Sequence, residues 1–553
     1  MLEFEAMSVP LQTSQHIDAT QPLRPSPEGH AGSNLDLAAV IVVAIGFVWR
    51  LWLAHATFFN TDEAWHYSAA NQGSLLAAYR ASLTLAHPPL LIFIIYFWRH
   101  LGTSDAMLRL PCVLAGSVFC WIFYKWLTIL LGRTVAWCGL IFATFLPPMI
   151  ALSAELRQYT LMLMFAVIAA YLFERSLADN SATMMLLCFV SLYLAMLSHY
   201  STFLIGAALG IYAILRMLAH RPALAVTISW VGGEVGAARL AWLLYATHIS
   251  KLGDVYRGAQ PLHRFGDFYL ADWYFHPGQD HILTFLYRSS FGVFRFMFGQ
   301  TGIGQLATLL FLCAIAILLF GKTRSTVFPP PRSTAALLAC PFLLNWIAVV
   351  AGLYPYGRTR QCAFLAIFGL AGVSVSVGKI ARNRLPLAGV FALGLVVFCQ
   401  IFGTLQGRDM LPLKEQRHEH MDQAVRFIRS HVAPKDEMFT DKATSFQLRH
   451  YLCRNSVVSV ARTPDGTESF LCDGLRIVST GSNDGALSPR TVVARWQDRT
   501  QYHGWTQPNQ IWVLQAGWAS GLGEALRQQS PAFAQLEIYS FGRYIEAFEL
   551  PHQ

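Results

Sequence analysis

Apolar positions along this chain gather into long blocks instead of recurring at helical or strand spacing. Blocks long enough to cross about 30 Å of hydrocarbon begin near residue 36 and stop near residue 404. Eleven read as membrane-spanning helices: 36–55, 109–131, 134–152, 158–175, 183–198, 201–219, 223–247, 301–320, 334–353, 361–378 and 385–404. A further block, "PPLLIFIIYFW" at 88–98, is only eleven residues long and suits an interfacial or re-entrant helix. Beyond residue 404 the pattern changes. "MDQAVRFIRSHVAPKDEMFTD" reads as an amphipathic helix, a Pro-containing turn and a strand. "KATSFQLRHYL", "SVVSVA", "GLRIVST", "TVVARW", "QIWVLQA" and "LGEALRQQ" continue the alternation of helix and strand. The expected fold is a polytopic α-helical membrane protein with a C-terminal soluble α/β domain. Residues 1–35 form a cytoplasmic tail expected to be disordered, 36–404 the transmembrane domain and 405–553 the external domain.

Composition agrees with that pattern. Of 553 residues, 54% are hydrophobic and 13% charged, the charged share being about half that of a soluble domain. No basic n-region precedes the first block, which is too long for the core of a cleaved leader, so it reads as a retained span. Orientation follows from Lys and Arg in short loops. With the N-terminus cytoplasmic, alternate connections carry Lys125, Arg133, Arg175, Arg216, Arg221, Lys322, Arg324, Arg332, Lys379, Arg382 and Arg384 against Glu174 and Asp179. The slightly acidic N-terminal tail is the one feature that disagrees. This bias accounts for part of the net charge of +9, so no nucleic-acid partner is called for. The opposite, external face holds 56–108, 153–157, 248–300, 354–360 and everything after 405. In a bacterium this places a multi-pass protein in the inner (plasma) membrane with its last domain in the periplasm. Eight of the ten Cys lie inside spans as small apolar fillers, while Cys453 and Cys472 fall in the external domain and could pair in an oxidising compartment.

The chemistry-bearing residues concentrate on that external face. "FNTDEAWHYSAA" (58–69) follows the first span. Asn60 with Glu63 makes a capping-box pattern, which leaves Asp62 without a structural task. "LAHPPLLIF" (85–93) opens a helix on prolines, with His87 at its N-terminal end, where it could meet an anion or a metal. "SAELRQYTLML" (153–163) puts Arg157 in a first helical turn on the wrong side for the positive-inside rule, two penalties that a Glu155 pair would hardly offset. "YPYGRTRQ" (354–361) repeats the oddity with Arg358 and Arg360, spaced to clamp a phosphate. The loop "FGDFYLADWYFHPGQD" holds Asp267, Asp272, Trp273 and His276, with His281 just beyond, a mixture suited to sugar stacking or equally to an interfacial aromatic belt. Glu234 and Arg239 lie inside a span and are either functional or paired with each other. Zinc-ligand spacing, a phosphate-cradling Gly loop and a Ser-His-Asp arrangement are absent from the sequence, which leaves ATP chemistry unsupported.

Taken in order, the carboxylates after the first span, "HPPL", "RLPCVLAG" (109–116) and "ELRQYTL" (155–161) resemble the bacterial GT-C glycosyltransferases. That group includes the protein O-mannosyltransferases and the lipid A aminoarabinose transferases. The resemblance implies transfer of a monosaccharide from a polyprenyl-phosphate carrier to an acceptor on the external face. The acceptor is lipid A or another glycolipid, a polysaccharide or a protein, and the bilayer is the working environment. By resemblance Asp62, with Glu63 beside it, is catalytic. His87, Glu155, Arg157, Tyr159, Arg358 and Arg360 handle the donor phosphate and sugar. Asp272, Trp273 and His276 are candidates for the acceptor side. The aminoarabinose branch has Lys where this chain has His87, which puts that donor in doubt. No cofactor is implied with certainty, and a divalent metal stays open because members of the group differ.

The chemistry is coherent without the resemblance. An activated sugar outside the cytoplasm must arrive on a lipid, and its phosphate leaves once cations stabilise the developing charge. Asp62 taking a proton from the acceptor would give a single inverting displacement. The alternative reading is a lipid-linked sugar transporter or flippase, whose charges would sit near mid-bilayer in matching halves.

Overall fold

The computed structural model describes residues 31–251, 270–321, 330–403, 415–453, 459–462, 467–480, 487–497, 508–517 and 520–551. Most of the expected N-terminal tail, and Asp267, lie outside them.

Helix α1 (Ala31–Ala56) is followed by three short helices, α2 (Thr61–Ala70), α3 (Leu75–Ser82) and α4 (Leu90–Trp98), before α5 (Asp105–Leu131). At nine residues α4 rises only about 14 Å, too little to span. Beyond its end Arg99 donates to Ala70 O, Asn71 Oδ1 and Gln72 O at 3.1, 2.7 and 2.8 Å. That folds α4 back onto the end of α2 and keeps residues 57–104 on one face of the bundle.

The bundle continues through α6 (Arg133–Phe145), α7 (Pro147–Ala154), α8 (Tyr159–Asp179), α9 (Ala182–Ser198), α10 (Thr202–His220), α11 (Leu224–Leu244), α12 (Ile282–Phe298), α13 (Thr301–Phe320), α14 (Pro331–Val350), α15 (Ala366–Ile380) and α16 (Leu385–Phe402). Among the described residues, eight helices are long and apolar enough to cross a membrane, or nine when α6 and α7 count as one bent span. With α9 and α11, every one of the eleven expected blocks is helical.

Two elements depart from the sequence pattern. The block 134–152 is not one straight helix but bends by 55° between α6 and α7. Pro147 and Pro148 have no N–H for the carbonyls of Ala143 and Thr144 four residues earlier. Arg50 of α1, 1% exposed, supplies the missing donors, with Nη2 on Ala143 O at 2.8 Å and Nη1 on Thr144 O at 3.0 Å. Gln400 Nε2 reaches the next carbonyl, Phe145 O, at 2.7 Å. An arginine in the apolar layer is thus the partner of a proline break. The second departure is α12, an unforeseen helix that carries Arg288 and Arg295 beside its buried apolar face; Phe294 stacks on Phe342 with centroids 5.8 Å apart.

Charges inside the bundle are resolved unevenly. Glu174 and Arg216 form a buried ion pair at 2.8 Å between α8 and α10. Glu234 and Arg239 do not form the internal pair considered above. Five positions turn a helix by about 140° from full register, so Glu234 faces Gly210 of α10 while Arg239 is exposed.

The C-terminal domain is a seven-stranded sheet in the order β2-β3-β4-β1-β5-β7-β6. Its strands are β1 (Glu437–Thr440), β2 (Ala461–Arg462), β3 (Glu468–Cys472), β4 (Leu475–Ser479), β5 (Ile511–Ala516), β6 (Ile538–Ser540) and β7 (Ile545–Glu549). β1 pairs in parallel with β4 (Glu437 opposite Arg476) and with β5 (Glu437 opposite Ile511), and the outer pairings are antiparallel. Helices α17 (His418–His431), α18 (Lys442–Tyr451), α19 (Pro489–Gln497) and α20 (Leu522–Gln529) pack on it. Cys453 and Cys472 are disulfide-bonded, Cα atoms 4.9 Å apart, tying the end of α18 to β3.

This domain docks on the segment between α1 and α2. Phe58 N donates to Gln416 O at 2.9 Å, Gln416 Nε2 to Phe58 O at 2.8 Å and Gln447 Nε2 to Phe59 O at 2.9 Å. Asp105, at the start of α5, receives His450 Nε2 at 2.6 Å, His418 Nε2 at 3.4 Å and the Tyr451 hydroxyl. The sheet domain and the first loop therefore share one face.

Candidate active site

That shared face carries a charge cluster assembled from three distant stretches. Asp62, in the first turn of α2, accepts Arg157 Nη1 at 2.8 Å and Arg360 Nη2 at 3.2 Å, both on Oδ2. Arg360 Nη1 also reaches Glu155 Oε2 at 2.9 Å. The two guanidiniums are 6% and 1% exposed, whereas the Asp62 carboxylate is 28% exposed. Burial alone would favour the protonated carboxyl of Asp62, but Arg157 and Arg360 outweigh it and hold Asp62 below the usual carboxylate range. Glu155 goes the other way, pushed up by burial that Arg360 only partly offsets. Two carboxylates sharing one arginine are thus held in different protonation regimes.

Glu63 has a different task from its neighbour. It completes the capping box with Asn60, the two bonds at 3.0 Å each. It also takes a bidentate pair from Arg109, Nε to Oε1 and Nη2 to Oε2, both at 2.7 Å, with both side chains fully buried. Oε1 accepts Leu156 N–H at 2.7 Å as well. With every approach blocked, Glu63 presents nothing to a substrate. It fixes the turn carrying Glu155 and Arg157 against the helix carrying Asp62, and the geometry separates it from the catalytic role expected for it alongside Asp62.

Behind Asp62 lies a row of imidazoles. His66 Nδ1 donates to Asp62 O at 2.7 Å. His87 stacks between His66 and His199, centroids 5.8 and 5.4 Å away. Tyr159 packs against His199 at 5.1 Å and edge-on to His87 at 6.3 Å. Among the described residues, no group of three or more His, Cys, Asp or Glu is placed to hold a metal ion.

Residues 86–245, which carry His87, Glu155, Arg157, Tyr159 and His199, match the family model "Dolichyl-phosphate-mannose-protein mannosyltransferase". In fold the chain is similar to the crystal structure of ArnT from Cupriavidus metallidurans bound to undecaprenyl phosphate. The identity is 12% and the TM-score 0.51, over 93% of this chain and 98% of that one. The chain has the GT-C fold. Weaker likenesses are the oligosaccharyltransferase of Archaeoglobus fulgidus in complex with zinc and sulfate (13% identity, 76% of this chain and 59% of that one, TM-score 0.43) and the arabinosyltransferase EmbB of Mycobacterium smegmatis (14%, 67% and 33%, 0.41). No curated protein matches the sequence.

The remaining expected site residues fall in two groups. Arg358 is half-buried in the same turn as Arg360, its backbone N–H packed over Gly292 of α12. Trp273 supports that turn: Tyr356 N donates to Trp273 O at 2.9 Å, and the indole covers Gly357. Gly357 has φ 152°, and a Cβ there would lie 2.1 Å from the ring, so only glycine fits. Asp272 is exposed beside it, and His276 is held by Asp280, which accepts His276 N at 3.0 Å. Trp273 is joined to the charge cluster through the turn; no described contact brings Asp272 or His276 to it.

Three members of the site escaped the sequence reading. Arg109 carries a signal, an arginine at the end of a span on the face expected to be external, the same argument that singled out Arg157. His66 and His199 carry none, since a lone histidine beside a span is ordinary interfacial sequence.

Proposed function

We propose that this protein is a glycosyltransferase that moves one monosaccharide from a polyprenyl-phosphate donor to a hydroxyl or amine of a glycolipid, polysaccharide or protein acceptor at the external face of a bacterial inner membrane. Asp62 is the base. The observation that carries this reading is the single partly open carboxylate whose Oδ2 is gripped by two buried arginines from segments 95 and 298 residues away. Oδ1 lies outside both ion pairs.

The reaction follows from that arrangement. As the donor phosphate enters, Arg157 and Arg360 turn part of their hydrogen bonding to it, and the Nε–H of Arg157, buried and without a partner among the described residues, is a further donor for it. Withdrawing the cations raises the basicity of Asp62. The acceptor oxygen or nitrogen attacks the anomeric carbon while Asp62 takes its proton. The bond from the anomeric carbon to the phosphate oxygen breaks, and the polyprenyl phosphate departs with the electron pair and with its charge balanced by the arginines. The configuration inverts, and the base is strong only when donor is present.

The test is Asp62→Asn in detergent or nanodiscs with a labelled polyprenyl-phosphate sugar. Transfer should fall about 10²–10⁴-fold, while donor binding and the melting curve stay close to wild type. Turnover equal to wild type would remove Asp62 from the base role. Consumption of donor, as opposed to its translocation, separates this reading from a flippase.

A further inference from the structure

The open side of α2 leads away from the charge cluster. Asp62, Trp65 and Ser68 are its positions that are not fully buried, and their three-residue spacing sets them in one row along the helix. The row runs onto the sheet domain. Trp65 stacks on Phe446 of α18, with centroids 5.7 Å apart and planes 8° from parallel. Arg449, three residues further along α18, lies over the Phe446 ring at 5.1 Å and over Phe470 of β3 at 4.7 Å. An aromatic strip therefore joins the partly open carboxylate to a guanidinium of the other domain.

Three cations meet at the far end of that strip. Arg449 Nη2 reaches Glu468 Oε2 at 2.6 Å, and Arg462 Nε, on the edge strand β2, reaches Glu468 Oε1 at 2.9 Å. Lys442, at the start of α18, is close enough to act on all three. Burial alone would raise Glu468, but the three cations outweigh it and hold its carboxyl below the ordinary range. Lys442 is lowered, by burial first and then by Arg462 and Arg449, with Glu468 opposing. Among the described residues one carboxylate thus serves three cations, which leaves an excess of positive charge. Holding β3 to α18 accounts for Arg449, whose side chain is 14% exposed. It does not account for Arg462, 68% exposed, because so open a pair adds little stability.

We propose that the surface from Asp62 over Trp65 and Phe446 to Arg449, Arg462 and Lys442 is where the acceptor docks, and that the acceptor is an acidic polysaccharide. The proposal rests on the glycosyl-transfer reading above. The cations supply charge complementary to the carboxylates of such a chain. The aromatic strip between them and Asp62 suits the apolar C–H faces of successive sugar rings. Its steps of 5.7 and 5.1 Å carry it beyond the width of one ring, so the acceptor has several units. A phosphorylated lipid headgroup would use the cations but has no need of the rings that separate them from the base. The end of the chain then reaches Asp62 while its charged units are held on the sheet domain, which gives that domain a part in selecting the acceptor.

The experiment measures binding of a short oligogalacturonate to the purified full chain in detergent. A neutral maltooligosaccharide of equal length and a short-chain phosphatidic acid are the comparisons. The oligogalacturonate should bind at least about tenfold tighter than the neutral chain, and added salt should weaken it. Lys442→Gln and Arg462→Gln should each weaken it about threefold, and the double substitution about tenfold. The melting curve and the binding of polyprenyl phosphate should stay as in wild type. Binding that ignores the charge of the oligosaccharide, or that survives the double substitution, would overturn the docking surface and leave Asp62 chemistry intact. Tighter binding of phosphatidic acid, lost in the same variants, would overturn the polysaccharide and give the surface to a lipid headgroup. Oligogalacturonate held at this surface by a protein that never consumes a polyprenyl-phosphate sugar would overturn the transfer reading while the surface stands.

Discussion

Glu63 and Arg109, 46 residues apart, are joined by two 2.7 Å hydrogen bonds with neither side chain exposed. Arg109 also caps the end of α1, donating to Ala54 O at 2.8 Å, Thr57 O at 2.7 Å and Phe58 O at 3.0 Å. One ion pair thus holds the end of α1, the start of α2 and the Leu156 turn together.

Breaking that pair strands a buried charge. Glu63→Gln or Arg109→Met should each destabilise the protein by about 3–5 kcal/mol, seen as a lower detergent melting temperature. Transfer should fall in step with the folded fraction. If Glu63→Gln melts like wild type yet loses all turnover, Glu63 acts on substrate and not through the turn.

Arg360 bridges two carboxylates, and lysine cannot do so from one head group with the same geometry. Arg360→Lys keeps the charge but should lower kcat by about 10²-fold, as for loss of one preorganised donor to developing charge. Single-turnover rates with saturating donor check this. An unchanged rate would mean that charge alone suffices.

The turn behind Arg360 offers a test free of charge effects. Gly357→Ala puts a methyl group into the Trp273 ring at a φ unfavourable to L-residues. Activity should drop while the C-terminal domain stays docked, measurable as protection of that domain from protease. A fully active Gly357→Ala would show that the position of this turn is irrelevant.

The domain contact should respond to pH. His418, hydrogen-bonded to Asp105, is raised to about 9 from an ordinary 6.5. A raised histidine contributes fully below the unfolded value and is lost as pH climbs through the folded one. Docking should therefore weaken between pH 6.5 and 9, and His418→Ala should flatten that dependence. Protease sensitivity across that window is the readout, and a wild-type profile that is flat there would discount the contact.

Much of this was legible in the sequence because the membrane imposes a coarse code. Block length located the helices, and arginines on the forbidden side pointed to Arg157 and Arg360. Partner choice was not legible. The capping-box pattern set Glu63 apart from Asp62, but nothing local tells that Glu63 would pair with Arg109 while Asp62 met Arg157 and Arg360. The bend at Pro147 was not foreseen within the block 134–152, and its stabilisation depends on Arg50, far along the chain. Helix α12 was hidden because its arginines dilute the apolar signal that marks a span.

The ion pairs of Asp62 also set an order of events during synthesis. The aspartate is inserted early, yet Arg360 follows it by 298 residues, and His450 follows Asp105, which it braces, by 345. A nascent chain on the ribosome therefore exposes an unfinished cluster for most of its translation. The cluster is complete only once Arg360 has been made, so under the proposed function products terminated before it would be inert.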